Sequence, residues 1–139
     1  MDQTGKVIRI VAAVVSNELG QTLLVRKRGT RAFMQPGGKR DPGESDLAAL
    51  AREIGEELGC DMDPSEARHL GDCSAPAANE PGAVVEASLY AVRLHGEPAA
   101  QAEIAELRWL SLDDPNPPVL APLTEFHVLP RLRSLPLST

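Results

Sequence analysis

One run, residues 38–60, constrains this chain more than any other: GKRDPGESDLAALAREIGEELGC. Gly38 is followed after five residues by Glu44, and after seven more by Arg52 and Glu53. Ile54, Gly55, the pair Glu56 and Glu57, Leu58, Gly59 and Cys60 complete it. Its middle reads as a helix. Ser45 or Asp46 suits the N-cap, Gly59 suits a left-handed C-cap, and Leu47, Leu50, Ile54 and Leu58 recur at helical spacing as one apolar stripe. Glu53, Glu56 and Glu57 stand at i, i+3 and i+4, so they share one face beside that stripe, over an arc of roughly 100°. Three carboxylates this close repel one another unless a cation sits among them, and hard oxygen donors suit Mg²⁺ or Mn²⁺. The plain alternative is a solvated acidic face on an amphipathic helix. The coincidence of those glutamates with Arg52, Glu44 and two glycines argues against it. Arg52 can pair with Glu56 at i+4 and hold it in place, its plain alternative being an ordinary surface ion pair. Glu44 lies just before the helix, where it can reach the same cation or assist the helix N-terminus.

The 139 residues suit a single domain, 1–139, with a proper core. The net charge of −6 carries no basic face of the kind a duplex nucleic-acid binder needs. No apolar run approaches the ~18 residues of a membrane span. The N-terminal stretch MDQTGKVIRIVAAVV lacks a signal-peptide layout and reads as a strand. Cys60 and Cys73 make no disulfide framework and suit idle or buried thiols in a reducing cytosol, so a cytoplasmic location is expected. Strands are expected over 7–15 and 22–28, joined by a turn at 17–20 into a hairpin. Further strands are expected over 68–74, 83–94 and 106–110, and a C-terminal helix over 122–132. Residues 29–35 and 76–82 read as loops, 113–118 as a Pro-rich connection, and Pro36-Gly37-Gly38 as a break in regular structure. Strands around one central helix and a terminal helix make a mixed α/β layered domain. Competing motifs fail. A P-loop ending at Gly38-Lys39 would need Gly at position 33 and Ser or Thr at 40, where Phe33 and Arg40 stand. His69, His95 and His127 lack zinc spacing, and no Gly-x-Ser-x-Gly elbow exists.

Residues 38–60 resemble the Nudix box, G-x5-E-x7-R-E-U-x-E-E-x-G-U, where U is bulky and aliphatic. Every glycine and charged position matches. Only the last U departs, as Cys60, a small hydrophobe able to pack in a core. The resemblance is strongest over 36–60, weaker over 5–28 and 103–110, and says little about 61–100. It implies an α/β/α sandwich with a mixed β-sheet between helices. It also implies a Mg²⁺-dependent hydrolase that uses water to cleave a phosphoanhydride in a nucleoside diphosphate linked to another group. In members that cleave nucleoside triphosphates, the glutamate after the arginine acts as base or water-orienter and the following pair binds metal. Carried over, Glu53 takes the first role and Glu56 and Glu57 the second, with Glu53 and Gly38 also counted among the metal contacts. Helical geometry alone does not separate these roles, because all three glutamates share one face.

Lys39 follows the glycines, as in MutT-like members, and would stabilise a departing phosphate; its plain alternative is a solvated lysine. Gly37 and Gly38 would bring bare backbone to phosphate oxygens. Strand alternation puts Arg26 and Arg28 on one side, with Arg26 the first candidate for phosphate. Glu103 or Glu106 is a candidate for a further metal contact. Of four aromatic residues, Phe33 in the loop beside the box is the first candidate to stack a base, whereas Trp109 suits a core. The expected substrate is a small nucleotide, best a nucleoside triphosphate, damaged ones included, yielding monophosphate and pyrophosphate. The alternatives are an ADP-ribose or dinucleoside polyphosphate pyrophosphatase, for which Pro76 is a weak pointer, and a catalytically silent nucleotide-binding module. A homodimer is common in the family.

Overall fold

The computed structural model describes residues 6–134. The first five residues of the stretch weighed above as a signal peptide lie outside the described residues. In chain order the elements are β1 (Val7–Val14), β2 (Thr22–Lys27), β3 (Gly37–Gly38), α1 (Asp46–Leu58), β4 (Asp61–Met62), a 3₁₀ turn (Pro64–Glu66), β5 (Arg68–Pro76), β6 (Val84–Ala91), β7 (Leu94–His95), β8 (Ile104–Leu110), a π-helical turn (Thr124–Val128) and α2 (Leu129–Ser134).

The central sheet has the order β3-β1-β6-β5 and is mixed: β1 runs parallel to β6, while β3 and β5 are antiparallel to their neighbours. From Val11 onward β1 is apolar on both faces because both are covered. Val11, Ala13 and Val15 pack with Leu50, Ile54 and Leu58 of α1. Ala12 and Val14 pack with Ala87, Leu89, Leu123 and Val128 on the other side. The expected layering of helix, mixed sheet and helix is therefore present. α1 forms as its sequence dictates: the Ser45 hydroxyl accepts the Ala48 N–H at 3.1 Å, and Gly59 closes the helix at φ 68° with its N–H on the Gly55 carbonyl. Cys60 is buried in the main core, so the one departure from the box pattern is a packing residue.

Several boundaries and pairings differ from expectation. The 17–20 turn forms, held by the Asn17 carboxamide, but the strands it joins touch only at their base, where Leu23 N–H meets the Val15 carbonyl. They then diverge, because β3 and β6 occupy both edges of β1; β2 pairs instead with β8. Gly37 and Gly38 do not break regular structure but make the short strand β3 on the edge of β1. The expected strand over 83–94 ends at Ala91, and Leu94–His95 pairs with Asp61–Met62 in a separate ladder. The C-terminal helix contains a π turn, with Leu129 N–H bonding Thr124 O. Pro130 next in line has no N–H to continue an α-helical ladder.

Candidate active site

A cleft of about 550 Å³ lies at the junction of the two main sheets and α1. Its lining combines Gly37, Gly38, Lys39, Glu53, Glu56, Glu57, Lys27 and Glu103 with Ile8, Ile10, Met34 and Val85 and with the loop residues Ala77, Ala78, Asn79 and Glu80. A smaller depression of about 260 Å³ surrounds Arg9, Arg40 and Cys73, but its arginines are already paired with Glu86 and Asp46.

The α1 glutamates occupy three different environments. Glu57 is 7% exposed, with one carboxylate oxygen accepting the Gly37 N–H at 3.2 Å. Burial pushes its carboxyl up to about 7, against the Gly37 hydrogen bond and despite Lys27 nearby. Glu53 is half-buried and also raised, by burial first, with Arg52 opposing. Glu56 is exposed and lies 3.4 Å from Arg52. The glycines explain this packing. A Cβ on Gly37, whose φ is +146°, would strike the Val11 carbonyl. A Cβ on Gly38 would stand 2.5 Å from a Glu53 carboxylate oxygen. The bare backbone therefore serves sheet pairing at Gly37 and admits a glutamate at Gly38.

Arg52 does more than pair with Glu56. Its Nε and Nη2 donate to both carboxylate oxygens of Glu44 at 2.8 and 2.9 Å, Nη2 also donates to the Lys39 carbonyl at 3.0 Å, and Nη1 reaches Glu53 at 3.2 Å. The guanidinium holds the Glu44 carboxyl down to about 2, helped by the Asp41 N–H. Glu44, considered above as a metal contact, is thus occupied by Arg52. It ties the start of α1 to the arginine that braces Glu53 and Glu56.

Other expectations change. Arg26 pairs with Glu106 across the β2–β8 ladder at 3.1 Å and caps the Thr30 carbonyl. Arg28 binds the Ala102 carbonyl, at 3.4 Å. Neither lines the cleft; Lys27 does. Alternation holds along this strand, with Lys27 on the face of Leu23 and Val25 and the arginines on the other, but the face turned to the cleft is that of Lys27. Glu103 lines the cleft while Glu106 is spent on Arg26. Glu103 follows Ala102, which is held at φ 56°, an uncommon angle for a residue with a side chain. Phe33 cannot stack a base: its backbone pairs with Val119 and Ala121, and its ring is buried with Leu24, Leu110 and Leu129. The cleft lining contains no aromatic residue. Sequence reading also passed over Gln35 and Lys27, because neither sits in a spaced pattern.

The donor set fits a hard divalent cation. Among the described residues no cationic side chain is ion-paired with Glu57, so a buried carboxylate is left to be neutralised. Among the described residues no three acidic, His or Cys side chains form a ready-made cage. Mg²⁺ takes one or two carboxylates and completes its shell with water and substrate phosphate.

The NUDIX domain profile matches residues 6–132. The chain belongs to the NUDIX domain family. A Haemophilus influenzae 8-oxo-dGTP diphosphatase is 41% identical over 58 residues, which is 39% of this chain and 43% of that protein, so the match spans less than half the relative's length. The structure of MutT NUDIX hydrolase from Burkholderia pseudomallei is 25% identical, covering 94% of this chain and 99% of that one, with a TM-score of 0.72. The E. coli ORF135 protein structure is 26% identical, covering 94% and 89%, with a TM-score of 0.67. This chain shares its Nudix fold, an α/β class with a mixed sheet between helices, with those two solved structures.

Proposed function

We propose that this Nudix chain is a single-unit, Mg²⁺-dependent pyrophosphohydrolase of nucleoside triphosphates, damaged ones included, releasing monophosphate and pyrophosphate. The observation that carries it is a buried, cation-free Glu57 beside Glu53 and Glu56 in a cleft that also holds Lys27 and Lys39. Similarity to an 8-oxo-dGTP diphosphatase supports the substrate class.

Glu53, Glu56 and Glu57, with the Gly38 backbone, would hold the divalent ion that Nudix hydrolases generally use. When bound, that ion polarises the diphosphate and neutralises its charge. Glu53, whose carboxyl burial raises above its ordinary value, orients or deprotonates the attacking water. Arg52 acts on Glu53 and Glu56 as a positioning residue. Lys39 and Lys27 meet charge on the departing group. Lys27 takes the phosphate role first expected of Arg26 and Arg28. A cytoplasmic location suits the two free thiols. A homodimer is part of the same proposal and is tested by light scattering.

A panel of nucleotides with Mg²⁺, scored separately for phosphate and pyrophosphate, tests the reaction. Pyrophosphate as the first product from a triphosphate is expected. Lys39→Ala should lower kcat by about tenfold or more with a smaller change in KM, because the contact strengthens mainly in the transition state. Rapid cleavage of ADP-ribose or a dinucleoside polyphosphate, with no triphosphate turnover, would move the substrate to that class. Absence of metal-dependent turnover on every nucleotide would leave a binding module.

A further inference from the structure

Resting on the nucleotide-hydrolase reading, we infer that Gln35, oriented by Thr124, is the side chain that hydrogen-bonds the nucleobase and sets base preference. Four polar side chains are buried among the described residues: Thr22, Gln35, Glu57 and Thr124. Glu57 belongs to the carboxylate cluster, and Thr22 lies on β2. Gln35 and Thr124 are bonded to each other, Thr124 Oγ1 donating to Gln35 Oε1 at 3.0 Å. Gln35 Nε2 donates to the Ala13 carbonyl at 2.9 Å. A carbonyl can only accept, so the nitrogen must face Ala13 and the oxygen Thr124, and the carboxamide has one orientation. That arrangement uses one of its two N–H donors and one of its two acceptor lone pairs.

Gln35 lines the cleft, whose wall also includes Ile8, Ile10, Met34, Val85, Asn79 and Glu80, and is 6% exposed. A half-used amide that is nearly buried discriminates strongly, since a ligand group that fails to match it leaves a desolvated polar group unpaired. Base stacking is not available as a competing source of selectivity, because no aromatic side chain lines the cleft. Thr124 is 0% exposed and begins the π turn, whose extra residue sets how the terminal helix meets the sheet. The fold thus places a hydroxyl behind the amide from an element 89 residues away in sequence.

The test compares kcat/KM for guanine, adenine, cytosine and uracil nucleoside triphosphates, and for 8-oxo-dGTP, in wild type, Gln35→Met and Thr124→Val. Methionine keeps the length and loses the hydrogen bonds. The ratio between the most and least preferred base should narrow by about tenfold in Gln35→Met, chiefly through KM. Thr124→Val should narrow it in the same direction, and Thr124→Ser should restore it. If Gln35→Met does not fold, as judged by melting, the Thr124 pair decides. Folded variants with lowered melting points but unchanged base ratios would mean that the amide only satisfies Ala13 and Thr124, and would overturn the assignment. A wild-type chain that turns over no nucleotide would instead remove the hydrolase reading beneath it.

Discussion

At the residue scale, adjacent glycines do different jobs. Gly37 sits at φ +146° with the Val11 carbonyl where a Cβ would be, so Gly37→Val combines backbone strain with a clash against sheet backbone. It should cost about 2–5 kcal/mol of stability, measured by urea unfolding. At Gly38 the obstructing group is the Glu53 carboxylate, a movable side chain. Gly38→Val should therefore unfold at nearly the wild-type denaturant concentration while losing most of its turnover, because Glu53 is pushed aside. Equal stability loss in both variants would show that the Gly38 contact is structural. Both glycines stand out in the sequence, but only the contacts tell sheet pairing from carboxylate packing.

At the element scale, α1 carries a core stripe and a functional face on the same turns. Ile54 is fully buried between the glutamates in sequence, and Ile54→Ala should cost about 2–5 kcal/mol through the cavity it leaves. Arg52 braces the polar face by gripping Glu44, Glu53, Glu56 and the Lys39 carbonyl. Lysine cannot reproduce a bidentate grip together with three other contacts. Arg52→Lys should lose no more than ~1 kcal/mol of stability, as expected of a partly exposed ion pair, yet lower kcat by about tenfold or more through misplaced glutamates. Wild-type kcat in that variant would show that the clamp is dispensable. The helix, its caps and its stripe follow from local spacing. The partnership of Glu44 with Arg52 does not, since it crosses the helix start and the i+4 rule points to Glu56 instead.

At the scale of the whole molecule, a chain of net charge −6 keeps five glutamates in one cleft, Glu53, Glu56, Glu57, Glu80 and Glu103, with Glu57 buried. The Glu57 carboxyl rises from 4.5 in the unfolded chain to about 7 in the fold. A raised value means that the folded state binds the proton more tightly. The corresponding stability is fully present below pH 4.5 and is lost as pH rises through about 7, at most ~3 kcal/mol. Glu44, lowered to about 2, acts oppositely: its contribution is present above its unfolded value and disappears as pH falls towards 2, a separate window. Without divalent ions the melting temperature should therefore fall between pH 5 and pH 8, with Glu53, Glu56 and Lys27 the charged neighbours that shape the curve. Glu57→Gln should flatten that fall and abolish most turnover. Mg²⁺ should raise the wild-type melting temperature more at pH 8 than at pH 5.5, and the variant's hardly at all. A wild-type curve unchanged from pH 5 to pH 8 would refute a buried, uncompensated Glu57.

The amino-acid order alone determined what depends on neighbours a few residues apart: the span and caps of α1, its apolar stripe and the shared face of Glu53, Glu56 and Glu57, on which the proposed cation chemistry rests. Tertiary structure decided what depends on partners far along the chain. β1 is buried on both faces and paired on both edges, so β2 was sent to β8. Which face of β2 meets α1 and β1 was decided there too, so Lys27, in phase with the buried Leu23 and Val25, rather than Arg26 or Arg28, lines the cleft. Pairing of Phe33 with Val119 and Ala121 drew its ring into a core, while Gln35, two residues on, is a nearly buried polar residue of the cleft lining. Strand register and burial are settled by which surfaces meet across the fold, and helical periodicity and capping carry no information about that.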